Sequence, residues 1–313
     1  FTHQVTFVLG ASTLGPYTIA AGDKTYSFLV PASTWGAQLS SATSGTATCK
    51  MKTLNAGVQV GDIVDINFTV TVPSTFLPTF SAGPTVVQTG NPTGFTTSSW
   101  FIQGVTMPKI SATAIGSNGS TITKYNFSIV NGGSGEVVGA GARSWTATTI
   151  STSGAAAWTV TATDSRGRTV TATGSIDVTA YSSPSIVVNE LYRTTSGGVA
   201  SDDGTYYKVR ATATAITQGT PLAANAITEI KVQHRLKGTT TWSAAVAITN
   251  NTLSAAQGGG LITMPNSWEV RISCRDKIKP STNIYSSPGV LPPTVRAWDF
   301  RNDRSALGRF AGL

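Results

Sequence analysis

Residues Ile66-Asn67-Phe68-Thr69-Val70-Thr71-Val72 alternate apolar and polar side chains without a break. A period of two puts Ile66, Phe68, Val70 and Val72 on one face of an extended chain and the polar residues on the other, so the stretch reads as a half-buried β-strand. The pattern recurs along the whole sequence. Trp158, Val160 and Ala162 alternate with threonines; Tyr207, Val209, Ala211 and Ala213 alternate with Lys208, Arg210, Thr212 and Thr214. Ile230, Val232 and Leu236 are interleaved with Lys231, Gln233 and Arg235, and Trp268, Val270, Ile272 and Cys274 with Glu269, Arg271, Ser273 and Arg275. Asp164-Ser-Arg-Gly167 stands between two Thr/Val runs as a hairpin connection, because Asp and Gly supply the turn conformations that strands lack. Ser33-Thr-Trp-Gly-Ala-Gln-Leu39 is the one stretch that reads as helix.

Composition gives the same fold class. Only 12% of the 313 residues are charged, against about a quarter in an average domain. Fifty Thr and 33 Ser supply a hydroxyl-rich surface, and 32 Gly with 14 Pro supply turns. Thr and Val favour pleated surfaces, so the chain is expected to be all-β and neither a bundle nor a coiled coil. No apolar run reaches the ~18 residues that span a bilayer, so no membrane insertion is expected. Phe1 opens the chain without an initiating Met or a signal pattern, which reads as a piece of a longer polypeptide.

Proline marks the seams, since it cannot donate to a central ladder. Tyr181-Ser-Ser-Pro184 and Tyr285-Ser-Ser-Pro288 are the same tetrapeptide, and each follows a strand led by tryptophan, Trp158 or Trp268. A repeat of this size fits an immunoglobulin-like or fibronectin III-like sandwich of about 100 residues. The expected division is therefore 1–77, an N-terminal β-sandwich-like domain; 78–181 and 182–289, two Ig/fibronectin-like sandwiches; and 290–313, a short C-terminal β hairpin leading into a fibre or assembly region.

Chemistry is scarce. His3 lies near the terminus, and His234 sits alone between Val232 and Leu236, where a hydrogen-bonded core or rim residue is the expected role. Acidic residues cluster at turns beside Gly61 and Gly204, where Asp caps its own backbone. Cys49 and Cys274 are 225 residues apart, on apolar strand faces, and read as free core thiols. No catalytic residue, metal site or cofactor is expected. The net charge of +8 arises from 22 basic and 14 acidic residues spread over every segment. Nucleic-acid binding needs a concentrated footprint, so none is expected. Trp158, Trp242 and Trp268 fall in strand patterns and are assigned to cores, which leaves Trp35, Trp100 and Trp298 as candidate surface-binding aromatics. In the last segment Arg296, Arg301 and Arg304 are interleaved with Trp298, Phe300, Leu307 and Phe310, an expensive pattern to leave in water and the candidate assembly element.

Phe1-Thr-His3, the Val-Pro-Ala-Ser-Thr-Trp35 segment running into Ala42-Thr-Ser-Gly45, Val70-Thr-Val-Pro73 and Val160-Thr-Ala-Thr-Asp-Ser-Arg-Gly-Arg-Thr169 carry a more specific signal. With Ile176-Asp-Val178, Tyr181-Ser-Ser-Pro184 and the ending from Trp298-Asp-Phe300 to Leu307-Gly-Arg-Phe310, they resemble a family of minor structural, tail-tip fibre proteins of long-tailed, siphovirus-type bacteriophages. Asp276-Lys-Ile-Lys279 departs from the Asp-Ser-Arg-Gly turn in the third repeat, and Asn55-Ala-Gly57 stands where that family has a longer glycine-rich stretch. The resemblance implies a virion protein of the tail tip, fibre or baseplate, a modular spacer that attaches to the host surface. Its implied partners are other phage tail proteins, further copies of itself, as a trimer, and host cell-wall polysaccharide. Two alternatives stay open: a bacterial surface adhesin or carbohydrate-binding module, and a tail-associated polysaccharide hydrolase.

Overall fold

The computed structural model describes residues 1–23, 25–90, 92, 94–95, 97–279 and the backbone of 285–291. Two compact units divide it: Phe1–Thr89 with Thr106–Val178, and Gly90–Val105 with Thr179–Leu313. Both are built almost wholly of antiparallel strands.

In the first unit β1 (Thr2–Leu9), β2 (Ser12–Ile19), β3 (Ser44–Asn55) and β4 (Val58–Thr71) form one sheet in the order β2-β1-β3-β4. Its apolar face is covered by α1 (Ala32–Gln38), where Trp35 and the following Leu39 are buried with Leu9, Ala47 and Val72. Residues 1–77 thus depart from the expected sandwich, because the opposing layer is a helix and not a second sheet. The physical reason is local. Pro31 precedes the helix in extended conformation, and Trp35 and Leu39, four apart, make an apolar stripe wide enough for this short face. Burial fades back along β4 accordingly, from Val72 just past its end at 4% exposed to Ile66 at 53%. Ile66, expected inside, lies beyond the cluster that Trp35 and Leu39 close. Cys49, its cross-strand partner, is only half-buried for the same reason.

The rest of this unit is a two-sheet sandwich. One sheet takes β5 (Thr79–Thr89), β7 (Met107–Ile115) and β10 (Gly141–Thr146), in the order β10-β7-β5; β6 (Phe101–Ile102) belongs to the second unit. The facing sheet has β8 (Ile122–Ile129), β9 (Gly133–Val138), β11 (Gly154–Asp164) and β12 (Thr169–Thr179), ordered β12-β11-β8-β9. Alternate residues Ile110, Ala112 and Ala114 of β7 are buried, as are Tyr125, Phe127 and Ile129 of β8 and Val160 and Ala162 of β11. Tyr125 is fully enclosed, and its hydroxyl donates to Gly141 O at 2.8 Å and accepts from Ala114 N at 2.8 Å, so it ties the two sheets together. Trp158 is half-buried and lies against Gly174, the residue opposite it on β12, where an added Cβ would meet the indole at 2.5 Å.

The β11–β12 turn does more than reverse the chain. Asp164 Oδ1 accepts from the backbone N of Arg166 and Arg168, at 3.0 and 2.8 Å, which fixes the turn and aims both side chains outward from the sandwich. Arg166 then donates to Gly36 O and Leu39 O at the C-terminal end of α1, at 2.7 and 2.8 Å, and to Ser117 O and Asn118 O at 2.7 and 2.6 Å. Arg168 reaches Val72 O, Pro73 O and Phe76 O at 2.9, 2.6 and 2.9 Å. A cation suits the negative end of a helix, whose last carbonyls have no partner within the helix. Burial lowers the pKa of Arg166, yet a guanidinium keeps its proton inside proteins, so a full charge sits in this clasp.

The second unit holds β13 (Ser185–Thr194) and β14 (Tyr206–Thr214) as a two-stranded sheet. Facing it, β15 (Ile227–Leu236), β16 (Val246–Ala247), β17 (Trp268–Asp276) and β18 (Tyr285–Leu291) are ordered β16-β15-β17-β18. Tyr207, Val209, Ala211 and Ala213 meet Ile230, Val232, Val270, Ile272 and Cys274 in one core, as the alternation predicts. Cys274 is buried there without a disulfide, and burial together with Asp276 pushes its thiol up to about 11. A smaller cluster of Phe95, Ile102, Leu222 and Ile278 lies at the end of this sandwich. Asp276 closes β17 as Asp164 closes β11: its Oδ1 accepts from Ile278 N and Lys279 N, both at 3.1 Å. Here the turn delivers Ile278 to an apolar cluster instead of arginines to carbonyls.

Candidate functional site

Of the three tryptophans expected at the surface, Trp35 is 8% exposed and part of the first core, so it offers no platform to a ligand. Helical spacing to Leu39 turns it inward. Beside it a cavity of about 200 Å³ is lined by Val30, Leu39, Val70, Val72 and Phe76, apolar walls without convergent polar groups. Trp100 is half-buried against Phe95, Ile102, Leu222 and Ile278, a packing role. Trp298 lies outside the described residues, as do the assembly candidates Arg296, Phe300, Arg301, Arg304, Leu307 and Phe310.

The aromatic side chain that does occupy a polar face is Trp242, in departure from the core position that strand patterning predicts. It precedes β16 in a stretch without regular structure and is half-buried. The guanidinium of Arg235 lies 4.4 Å and that of Arg271 4.5 Å from its ring centre. Both arginines are at outward positions of β15 and β17, the residues that alternate with buried Val232, Val270 and Ile272. Cross-strand pairing extends the face: Arg235 Nε donates to Glu269 Oε2 at 2.6 Å, Arg271 Nη2 to Gln233 Oε1 at 2.5 Å, and Glu229 receives Lys231 at 2.5 Å and Arg275 at 3.6 Å. The face therefore sets four cations against two carboxylates around one indole plane. Such a surface can stack a ring and attract an anion. The alternation carried the signal for it, since it placed Arg235 and Arg271 outward; what it could not carry was the return of the chain that lays Trp242 over them.

His234 is a rim residue. Its Nδ1 lies 3.2 Å from Ser243 Oγ and 3.4 Å from the Tyr207 hydroxyl, and its ring stands between those of Tyr207 and Trp268. Burial lowers its pKa, so the neutral imidazole is the folded form at neutral pH. A second aromatic group lies on the first sheet, where Tyr17, Tyr26 and Phe28 stack in sequence next to Phe7 and Tyr26 remains 45% exposed. No described helix is long and apolar enough to cross a membrane.

Comparison with known proteins gives one family and a set of distant structures. The family described as siphovirus protein of unknown function (DUF859) matches residues 1–199. No curated protein matches. Among solved structures, the chain is similar to a Ca2+-stabilised adhesin that helps an Antarctic bacterium reach out and bind ice, at 20% identity and a TM-score of 0.37, over 94% of this chain and 65% of that one. It is also similar to a 1.5-MDa bacterial ice-binding adhesin studied for host cell surface retention, at 16% identity and a TM-score of 0.38, over 94% of this chain and 86% of that one. The fibronectin(III)-like modules of Clostridium thermocellum CbhA match at 18% identity and a TM-score of 0.26, over 66% of this chain and 91% of theirs.

Proposed function

The chain belongs to the siphovirus family DUF859, and from that membership we propose that it is a non-catalytic structural protein of the phage tail, a modular β spacer that meets the host cell surface. The observation that carries this reading is the clasp of Arg166 and Arg168. A rigid spacer must keep successive modules from swinging about their linkers, which small polar interfaces ordinarily allow. Of the seven hydrogen bonds from these two guanidinium groups to backbone carbonyls, five bind residues 36–39 and 72–76 to the sandwich that follows, and the other two hold Arg166 to Ser117 and Asn118 of the sandwich itself. Support for the absence of catalysis is equally local: His234 is engaged with two hydroxyl groups and two aromatic rings, and Glu229, Glu269 and Asp276 are held by cations or backbone donors.

The test is adsorption. Host cells incubated with the purified chain are expected to bind it and then to adsorb fewer phage particles, in proportion to the chain added. Undiminished adsorption by cells saturated with the chain would contradict the host-contact part of the reading, and release of reducing ends from host cell wall would contradict the non-catalytic part.

A further inference from the structure

We propose that the outward face of β15 and β17 is a binding site for an acidic polysaccharide, with a sugar ring stacked on Trp242 and a carboxylate or other acidic substituent held by Arg271. The inference rests on the host-contact reading above and names the partner that this face would recognise.

The charges on the face do not cancel. Glu269 is taken by Arg235, and Glu229 is shared by Lys231 and Arg275, so two carboxylates serve three cations. Arg271 is the fourth cation and has no carboxylate partner among the described residues; it holds the neutral amide of Gln233 and the indole of Trp242. It lies opposite Gln233 of β15 and one step along the face from the cross-strand Arg235–Glu269 pair. An acidic group arriving beside Trp242 would therefore meet an uncompensated guanidinium, the donor best shaped for an oxyanion. The ring itself favours a sugar, since the apolar side of a pyranose stacks on an aromatic plane, and the guanidinium groups within 4.5 Å of the ring centre can match the ligand's own charge at its edge. Nucleic acid fits less well. Phosphate-backbone binding draws on a broad run of cations, and the excess here is two charges on one sheet face.

The probe is polygalacturonate, with neutral dextran and single-stranded oligothymidylate as comparisons, titrated into the full chain by calorimetry. The expected result is binding of polygalacturonate that weakens with added salt, and no binding of dextran. Arg271→Gln and Trp242→Ala are each expected to weaken it about tenfold, the size of one charge-assisted contact or one stacked ring. Arg143→Gln, in the first unit, should leave it unchanged. If Trp242→Ala melts early, Arg271→Gln decides alone. Failure of the wild-type chain to bind polygalacturonate, equal or tighter binding of dextran or oligothymidylate, or an equal loss in Arg143→Gln would overturn the proposal and reduce the stack to a structural ladder. A chain that blocks phage adsorption yet ignores the acidic polymer would overturn this inference and leave the host-contact reading intact.

Discussion

Replacing Arg166 with Ala is expected to cost the first unit about 3–4 kcal/mol, near the upper end for a single substitution, because four charge-assisted hydrogen bonds are lost at once, although Gly36 O, Leu39 O and Ser117 O each keep a backbone donor. Gly36 O and Leu39 O lie at the end of α1, the helix that covers the unit's first sheet. Gly119 adds a geometric argument for the site: a Cβ there would come within 2.5 Å of Ala37 Cα, so the two modules already touch and leave little room for compensating movement. Arg166→Lys should recover only part of the loss, since an ammonium cannot reach four carbonyls in one plane as the guanidinium fork does. Urea unfolding followed on the first unit reads the stability. Limited proteolysis reads the mechanism: cleavage within residues 72–79 should appear in Arg166→Ala while the sandwich from Thr79 onward stays resistant. A variant as stable and as protected as wild type would show that the clasp is ornamental.

The second large effect is expected at Asp276, which is fully buried in the second unit. Beyond the two backbone donors of its turn, its Oδ2 accepts from Asn225 Nδ2 and the Tyr181 hydroxyl, each at 3.0 Å. Asp276→Ala removes the carboxylate that accepts from all four at once, with Asn225 Nδ2 keeping only its bond to Ile216 O, so a loss of about 3–4 kcal/mol is expected. Tyr181→Phe removes one hydrogen bond of the four and should cost about 1–2 kcal/mol. Thermal melting of the second unit, followed in the two variants and wild type, gives the ordering directly. Equal effects of Asp276→Ala and Tyr181→Phe would mean that the turn holds without its anchor.

These two aspartates show how far the sequence could be read. Both end a strand of alternating apolar residues, and the hairpin between β11 and β12 follows from Asp164-Ser-Arg-Gly167 as turn chemistry alone. The pairing of β14, β15 and β17 into one core likewise follows from period two, because burial on one face leaves a single workable register. What the turn delivers was not legible. Arg166 finds Gly36 O and Leu39 O some 130 positions away, and a carbonyl has no side chain to announce it. The same limit applies to Trp35 and Trp242. A residue's own stretch carries too little here, since Trp35 is buried by a helix that takes the place of a sheet, and Trp242 is brought out by a loop that packs on two arginines from other strands. Ile66 is exposed for a simpler reason: period two gives its face correctly, but the layer that would cover it ends before it.

The most direct test of the account as a whole is electron microscopy of intact phage particles labelled with gold-conjugated antibody against residues 1–199, the part shared with the siphovirus family. Gold confined to the end of the tail distal to the capsid is the expected result. Gold on the capsid, or particles that carry none of the chain while infected cells contain it, would contradict a structural role in the tail.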